Sequence, residues 1–491
     1  MKKNKKKIVI SLFSTTLVLS SAIPLIVSCV KQESDIREFY RTPLNNTTQS
    51  FVEIYDSLYH DDKRFLILSG FNHPDKFLDF TKKNLVHDDE LFLLIDNEVP
   101  LKDKNMKDEP SIVRKLDQII NVQFNVQLAS FLAGMAAAYM LNSNQEFFLE
   151  NKPKDKQQLL WASYVGMPTI GAISYLSGFE KGISFANEKM NGKSFTIKKN
   201  GKDKTLSYKP VLEYVSQFGN NAGSFESKAG EKFINDYITH QVDVIFPIAG
   251  GIQGREAVNI LVESQKRTVM IGVDGPQEDD YSFNRQYRNN NLEGSNFKDQ
   301  NRPIRFSVIK NLTKAVDETL TTAISNDSYV NTNAKRDALL APEDRFKPGT
   351  VNVLGLEDNF TGLSGIGKEY LTNIAKLIYN NNNLTYQTAI DLISKETVFK
   401  NLIDEISYTG KQGDHEQTWN YHIPKSIYLA NSPSSLFKND YLMLSDEDKK
   451  KRVAQVLTSP SDVINDKGFN ESIYLGVHNF YSKQGIKTPK I

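Results

Sequence analysis

Cysteine is nearly absent from the chain, because Cys29 is the only thiol in 491 residues. One cysteine cannot form an intrachain disulfide, and it cannot build a cysteine-rich metal site. Histidine is also scarce, at seven residues, and no His or Cys cluster has the spacing of metal ligands. Neither a Gly-x-Ser-x-Gly sequence nor a phosphate-binding loop is present. These absences argue against an enzyme and predict a protein with no catalytic residues, metal or cofactor.

The chain also has no excess of charge of either sign, with 60 Lys and Arg against 59 Asp and Glu. Residues 1–28 hold five lysines and no acid, so the remainder has 55 basic and 59 acidic residues, a net charge of −4. Nucleic-acid binding needs a clear basic excess, so no nucleic-acid partner is predicted. Beyond residue 29 no apolar run approaches 18 residues. Any membrane permease must therefore be a different chain.

The one long apolar run lies at the N-terminus, from Ile8 to Val27, and follows a lysine-rich head. It ends at Ile26-Val27-Ser28-Cys29, which places a small residue just before the thiol. This pattern predicts a lipoprotein signal peptide over 1–28, with cleavage making a diacylated Cys29 the new N-terminus. The alternative is an uncleaved anchor, because about 20 apolar residues can span a bilayer. Both interpretations place the body at the extracellular face of the cell membrane.

Alternating strands and helices follow a polar stretch over residues 30–50, which is predicted to tether the body to the anchor. Short apolar runs at 64–71 and 91–96 are typical of parallel strands buried on both faces, and 75–84 is predicted to be a helix between them. The apolar segment 128–141 is too short to span a bilayer and predicts a buried core helix.

A second series of strands and helices starts near residue 160 and favours a second open sheet. Its predicted strands are 160–166, 211–218, 243–247 and 269–274, and its predicted helices are 178–187, 229–238 and 254–264. Residues 276–303 are polar and Asn-rich and are predicted to form a surface insertion. From residue 366 onward, the chain is predicted to form a helical extension.

Two strand ends in the second series carry candidate ligand-binding residues. Asp243 to Gly251 is a strand that enters a turn containing Gly250 and Gly251, followed by a helix. Such glycines let a ligand approach the backbone, although the same pattern also occurs as ordinary packing. Ile271 to Asp274 ends in a carboxylate that can hold adjacent sugar hydroxyls, although an aspartate there can also cap a helix or a turn.

The ordered set of segments over roughly residues 64–365 resembles the basic-membrane-protein family of bacterial lipoproteins, which are nucleoside-binding proteins of ABC transporters. The resemblance rests on the order and spacing of several motifs rather than on one of them. These motifs are Asn121 to Met140 with its Ser-Phe-Leu-Ala-Gly helix, Tyr164 to Met167, Gly178 to Gly182, Asp243 to Gly251, Ile271 to Asp274, and Ser307 to Asp317.

The resemblance implies an α/β type I periplasmic-binding-protein fold, with two doubly wound, Rossmann-like lobes joined by three crossings around a ligand cleft. The implied organisation is a signal peptide over 1–28, a lipidated tether over 29–50, lobe 1 over 51–158 completed by part of 304–353, lobe 2 over 159–275 completed near 354–365, an insertion over 276–303 and a C-terminal extension over 366–491.

The resemblance also implies binding residues in the second lobe. Asp274 matches the acid that holds the ribose hydroxyls, and Lys310 matches a lysine that reaches the sugar from a crossing strand. Gly250 and Gly251 match glycines that face the ligand. Phe225, in the sequence Gly223-Ser224-Phe225, matches the aromatic residue that stacks on the base, although it can equally be a core residue.

The first lobe departs from the family pattern. The family has an Asp-Lys-Ser-Phe-Asn motif near its start, whereas the nearest stretch here is Asn45 to Phe51, which keeps Ser-Phe and loses the acid and the lysine. Phe51 is therefore the expected stacking residue of this lobe. Asp96 matches a family acid at the end of a strand and is a further expected cleft residue.

Two functions of different classes follow from these observations. The first is a membrane-anchored substrate-binding lipoprotein that captures a purine nucleoside for an ABC permease and its ATPase subunits. The alternative is a surface lipoprotein that retains the scaffold and binds a host or partner protein through 276–303 and 366–491. The altered first-lobe motif favours the alternative, and the retained Asp274 and Lys310 favour the nucleoside binder.

Overall fold

A computed structural model of the chain describes residues 39–97, 101–102, 107–150, 152–199, 201–225, 228–264, 266–279, 303–325, 335–412, 415–431, 443–457 and 469–488. The predicted signal peptide, Cys29 and most of the predicted insertion lie outside the described residues. Within the described ranges no helix has the length and apolar character needed to cross a membrane.

Strands and helices alternate along most of the chain. The strands are β1 Tyr40–Arg41, β2 Phe65–Ser69, β3 Leu91–Ile95, β4 Ile119–Phe124, β5 Leu159–Val165, β6 Ser194–Lys199, β7 Lys202–Ser207, β8 Val211–Glu213, β9 Val244–Ile248, β10 Val269–Asp274, β11 Ile304–Lys310, β12 Thr350–Leu354, β13 Thr361–Leu363, β14 Glu405–Gln412, β15 His415–His422, β16 Ile427–Tyr428 and β17 Val453–Val456.

The helices include the long apolar segment near residue 130 and several in the C-terminal region. They are α1 Thr48–His60, α2 His73–Lys82, α3 Pro110–Val113, α4 Gln127–Ser143, α5 Gln145–Leu149, α6 Ile170–Met190, α7 Glu231–Thr239, α8 Gly250–Ser264, α9 Leu312–Leu320, α10 Gly365–Ile378, α11 Tyr386–Ile393, α12 Thr397–Asp404, α13 Asp446–Arg452 and α14 Phe469–Lys483.

The first sheet has the strand order β1-β17-β2-β3-β4-β12-β16 and is parallel except for β16. Its strands are buried on both faces because successive side chains alternate between two apolar clusters. Leu66 and Leu68 pack in the cluster formed with α1 and α2. Phe65 and Ile67 belong to the larger cluster that includes α14. This continuous burial explains the uninterrupted apolar run Phe-Leu-Ile-Leu in β2.

The second sheet has the strand order β13-β11-β10-β9-β5-β8 and is parallel except for β13. Helices α7 and α8 cover one face, where Tyr164 stacks on Phe233 with ring centroids 4.8 Å apart. Helices α4 and α6 belong to the cluster on the other face, where Trp161 contacts Phe179. The predicted fold class, two α/β lobes with helices in the C-terminal region, is confirmed.

Helices α4 and α6 pack closely because glycines remove the side chains between them. A Cβ at Gly178 would overlap the carbonyl oxygen of Gln127, and one at Gly182 would overlap that of Phe131. Helix α4 also contacts α10, β13 and β11, which are elements of the second lobe. The chain thus leaves the first sheet after Phe124, earlier than the boundary at 158 expected from the sequence.

The C-terminal region contributes strands as well as helices. β17 is an interior strand of the first sheet, and β1 is held to that sheet through β17. The described chain consequently crosses between sheets four times, over 125–158, 311–349, 355–360 and 364–426, rather than the three times expected. β17 was not predicted from the sequence, because Val-Ala-Gln-Val is only four residues long and follows a run of lysines. β1 also lies within the stretch that the sequence assigned to the tether.

Candidate ligand-binding cleft

The two parallel sheets place their candidate binding residues at the carboxyl ends of strands. In the second sheet, α6 after β5 lies on one face and α8 after β9 lies on the other, although β5 and β9 are neighbours. The connections that leave β5 and β9 therefore turn to opposite faces of the sheet. Open α/β sheets bind ligands at this kind of divergence, because a crevice opens outside the strand ends.

Phe225 lies directly over this crevice. A Cβ at Gly166, the first residue after β5, would overlap the Phe225 ring, and a Cβ at Gly250 would lie 3.9 Å from it. Gly250 has a φ of 76°, a conformation that glycine adopts without steric cost. The two glycines thus leave the space that the ring of Phe225 occupies. This half-buried ring is positioned by backbone on two sides.

Phe71, from the first lobe, meets Phe225 across the cleft. The two ring centroids lie 4.6 Å apart, with an interplanar angle of 40°. Phe71 follows β2 through Gly70, which has a φ of 89°, and 39% of the residue is exposed. The sequence did not single out Phe71 as a cleft residue, because Phe71 continues the apolar run of β2. The usable signal was an aromatic residue placed just after a glycine at the end of a buried strand.

Lys310 joins acidic side chains from both sheets. Its Nζ lies 2.7 Å from Oδ2 of Asp96, which follows β3, and 3.0 Å from Oδ1 of Asp274, at the end of β10. Tyr175, on α6, donates a hydrogen bond of 3.0 Å to the same Oδ1 of Asp274. The Lys310 side chain is only 6% exposed, so water screens these charge interactions weakly.

Burial and charge act together on the ionisation of this cluster. Burial alone would lower the pKa of Lys310, but the carboxylates of Asp274 and Asp96 hold that pKa well above its ordinary value. Burial raises the pKa of Asp96, the ammonium of Lys310 opposes that effect, and the charge of Asp274 adds to it. Burial and the charge of Asp274 raise the pKa of the Tyr175 hydroxyl. Lys310 is therefore a cation and Tyr175 a neutral donor near pH 7.

Both aspartates lie at a sharp change of backbone direction. The φ of Asp96 is 62° and that of Asp274 is 68°, within the left-handed region. Aspartate and asparagine occupy this region more readily than other residues with a Cβ. This conformation ends each strand and presents the carboxylate beyond the edge of the sheet.

The structure brings together most, but not all, of the residues selected from the sequence. Asp96, Asp274 and Lys310 form one charged cluster, and Phe225 lies beside Gly250 at the neighbouring strand ends. At Gly251 a Cβ would lie 3.9 Å from a guanidinium nitrogen of Arg255, which is ordinary van der Waals contact.

Phe51 does not lie in the cleft. It is fully buried in the core under α1, where its ring centroid lies 5.2 Å from that of His73. The structure therefore corrects the expectation that Phe51 is the first-lobe stacking residue. Its Ser-Phe sequence begins a helix whose aromatic side chain fills the lobe interior, and Phe71 is the first-lobe aromatic that reaches Phe225.

Residues 25–203 match the sequence profile of the Bmp family, described as ABC transporter substrate-binding protein PnrA-like. This match confirms the resemblance to the family over residues 25–203, which are less than half of the chain. An uncharacterized lipoprotein of Mycoplasma pneumoniae is 25% identical over 280 residues, which cover 47% of this chain and 42% of that protein. An uncharacterized lipoprotein of Mycoplasma genitalium is 23% identical over 371 residues, which cover 66% of this chain and 59% of that protein. The chain thus spans about half the length of the curated relatives that it matches.

Two solved structures of solute-binding proteins from ABC transporter systems overlap weakly with the chain. The protein from Aeropyrum pernix is 15% identical, with a TM-score of 0.40, over 71% of this chain and 73% of that one. The protein from Conexibacter woesei is 9% identical, with a TM-score of 0.38, over 70% of this chain and 85% of that one. The fold described above rests on the strand order of this chain and not on these overlaps.

The cleft has two chemically distinct parts. The Phe71 and Phe225 rings offer apolar faces from opposite lobes, while the Lys310 cluster offers hydrogen-bond donors and acceptors. An ammonium group has three N–H donors, and two of those of Lys310 are directed at Asp96 and Asp274. Such an arrangement suits a ligand with one flat apolar group and one group that carries hydroxyls.

Proposed function

We propose that this protein is a membrane-anchored substrate-binding lipoprotein that captures a purine nucleoside between its two lobes and delivers it to an ABC permease. The observation that carries the proposal is the contact of both lobes at the strand ends. Phe71 meets Phe225, and Lys310 connects Asp96 of one sheet to Asp274 of the other. Phe71, Asp96, Asp274 and Lys310 lie at or just after the carboxyl ends of strands, and Phe225 lies in the loop after β8.

In the bound state, the base stacks between Phe71 and Phe225, since an aromatic ring can stack on any base. Asp274 accepts hydrogen bonds from the ribose hydroxyls, and Lys310 donates one. The ligand separates the two phenyl rings and replaces their contact. Closure then depends on a ligand that fills both parts of the cleft, because a ligand shifts the equilibrium only through its differential affinity for the closed state.

Thermal unfolding tests the proposal with guanosine, adenosine, inosine, cytidine, uridine, the free bases and ribose. A ligand at 100 times its dissociation constant adds about 2.7 kcal/mol to the free energy of unfolding, which gives a clear rise in Tm. We expect purine nucleosides to raise the Tm and ribose alone to leave it unchanged. The absence of a shift with every compound would contradict nucleoside binding.

Substitution of Asp274 tests the assignment of the site. Asp274→Ala removes the ribose acceptor, and we expect the protein to fold and to lose nucleoside affinity. Asp274→Asn is the second variant, because asparagine tolerates the positive φ of this position and keeps its shape. Titration calorimetry measures both affinities. Unchanged affinity in the Asn and Ala variants would overturn the role of Asp274.

A further inference from the structure

The C-terminal β-hairpin formed by β14 and β15 lies against the second lobe at the end where the cleft residues lie. Tyr421 donates a hydrogen bond of 3.1 Å to the carbonyl oxygen of Pro168, in the loop between β5 and α6. Ser177 and Lys181, both on α6, donate hydrogen bonds of 2.9 Å to the carbonyl oxygen of Ser407. The hairpin thus contacts the loop and the helix that follow β5.

The hairpin also contacts the segment that carries Phe225. Asn220 donates its backbone N–H to the carbonyl oxygen of Lys411 at 2.6 Å, and its Oδ1 accepts the Lys411 backbone N–H at 3.0 Å. On the other side, the Asn220 carbonyl oxygen accepts the Val165 N–H at 2.8 Å. Asn220 therefore lies between β5 and β14, bonded to both through its backbone.

The side chain of Asn220 adds a second connection to β5. Its Nδ2 donates a hydrogen bond of 3.0 Å to the carbonyl oxygen of Ser163, and the residue is almost fully buried. Ala222 donates its N–H to the carbonyl oxygen of Val165 at 2.9 Å, which extends the pairing towards Phe225. The segment 220–222 thus pairs with the end of β5 on one side and is bonded to the hairpin at Asn220 on the other.

We propose that the β14–β15 hairpin is a positioning element of the binding cleft, which fixes the loop over 219–225 so that Phe225 lies over Gly166 and Gly250. This inference rests on the proposed function, because it assigns a role to the C-terminal region in stacking the base. Lys411 acts through its backbone and Asn220 through both its backbone and its side chain. The extension is then part of the ligand site rather than a separate binding surface.

The outer face of the hairpin supplies matched controls. Thr409 and Thr418 lie opposite each other on that face, are exposed, and share a hydrogen bond of 2.9 Å. Neither threonine contacts the loop over 219–225 in any hydrogen bond described above. We expect Thr409→Ala and Thr418→Ala to leave the loop and the nucleoside affinity unchanged.

Two variants of the full-length protein remove the positioning contact. Excision of residues 405–422 removes the hairpin, and a short Gly-Ser linker can rejoin the chain because Asp404 and Ile423 share a backbone hydrogen bond of 2.8 Å. Asn220→Ala removes two buried side-chain hydrogen bonds, which are together worth about a tenfold change in an equilibrium constant. If the excised protein does not fold, Asn220→Ala alone tests the proposal.

Hydrogen exchange of the ligand-free proteins is the first measurement. We expect both variants to exchange faster over 216–225 than the wild type, while α8 and the first sheet keep their protection. The second measurement is calorimetric affinity for guanosine and for uridine. We expect guanosine affinity to fall about tenfold in Asn220→Ala and the preference for guanosine over uridine to narrow, because the larger base loses more stacking area.

Unchanged exchange over 216–225 in Asn220→Ala and in the excised protein would overturn the positioning role. The positioning role would also be overturned if hydrogen exchange over 216–225 became faster while the affinity for guanosine and the preference for guanosine over uridine stayed the same. The loop would then not act on the ligand. A wild-type protein that binds no nucleoside would disprove the proposed function instead. In that case hydrogen exchange still decides whether the hairpin holds the loop.

Discussion

The ammonium of Lys310 lies 2.7 Å from the carboxylate of Asp96, and these two residues belong to different sheets. Asp274 approaches the same ammonium from the strand beside β11. One cation thus pairs with acidic side chains of both lobes at the cleft. The lobes are connected by an ion pair whose members are 6% and 27% exposed, so water screens the attraction between them less than in a surface salt bridge.

A double-mutant cycle of Lys310→Met and Asp96→Asn measures this interlobe connection. We expect a coupling energy of roughly 1–2 kcal/mol in urea unfolding at pH 7, because Lys310 and Asp96 attract each other at a site where water screens charge weakly, and Asp274 remains paired with Lys310 in Asp96→Asn. The control cycle is Lys314→Met with Glu318→Gln, a half-exposed pair 3.8 Å apart on one helix. Its coupling should stay below about 0.5 kcal/mol. Equal coupling in the two cycles would contradict the special role of Lys310.

Substitution of Phe71 and of Phe51 should affect different properties, ligand affinity in the first case and stability in the second. Phe71→Ala removes a 39% exposed ring that contacts Phe225, so we expect it to lower nucleoside affinity about tenfold or more and to change stability little. Phe51→Ala empties a fully buried site and should lower the free energy of unfolding by about 3–5 kcal/mol. Calorimetric titration and urea unfolding measure the two effects. The assignment of Phe71 to the cleft and Phe51 to the core would be wrong if Phe71→Ala kept its nucleoside affinity and a folded Phe51→Ala protein lost it.

The contact between α4 and α6 predicts that two glycine-to-alanine substitutions in α6 differ in their effect on stability. Gly182→Ala places a Cβ against the carbonyl oxygen of Phe131, so we expect a loss of more than about 2 kcal/mol in stability. Gly171→Ala places its Cβ in open space and should be neutral or stabilising by up to about 1 kcal/mol. Thermal unfolding compares the two variants. A Gly182→Ala protein as stable as Gly171→Ala would mean that the helices are farther apart than described.

The buried carboxyl of Glu213, which lies beside the hairpin, should make the free energy of unfolding depend on pH. Burial, and then the charge of Glu180, raises the pKa of Glu213 to about 7, while a hydrogen bond from Tyr408 opposes the rise. Between pH 4.5 and about 7, Glu213 is therefore protonated in the folded protein and ionised in the unfolded chain. The contribution of protonated Glu213 to stability is full below its ordinary pKa of 4.5 and is lost as the pH rises through 7.

Glu213→Gln tests this dependence, because glutamine keeps the acceptor for Tyr408 and does not ionise. We expect the variant to be more stable than the wild type at pH 8, by roughly 1–2 kcal/mol, and to lose this advantage at pH 5. Glu416→Gln, on the exposed outer face of the hairpin, is the control and should show no such change. Parallel stability curves for Glu213→Gln and the wild type between pH 5 and 8 would contradict the assignment.

Truncation after residue 365 should damage the first lobe rather than remove an accessory region. It deletes β17, which is the interior neighbour of β2, and leaves β1 without its partner strand. It also deletes α14, whose Tyr474 and Tyr481 contact Phe39. We expect loss of cooperative unfolding and rapid proteolysis within 39–124, whereas excision of 405–422 alone should spare that region. A stably folded truncation would show that β17 is dispensable.

The sequence predicted the elements whose signal is local. Continuous apolar runs identified β2, β3, β9 and β10, because parallel strands buried on both faces contain few polar residues. The strand-end residues Asp96, Asp274 and Lys310 followed from the family resemblance, and the structure brings all three together. Phe51 was wrongly placed because a Ser-Phe motif does not show which face of its helix is buried.

The sequence by itself determined the alternation of strands and helices, the class of the fold and the identity of the acids and the lysine at the strand ends. Only the tertiary structure decided that Phe71 meets Phe225, that β17 completes the first sheet, and that the C-terminal hairpin holds Asn220. These three contacts join segments that are between about 150 and 390 residues apart, because forming a sheet or a cleft brings distant segments together. A short strand or an exposed phenylalanine acquires its role only when its distant partner is in place.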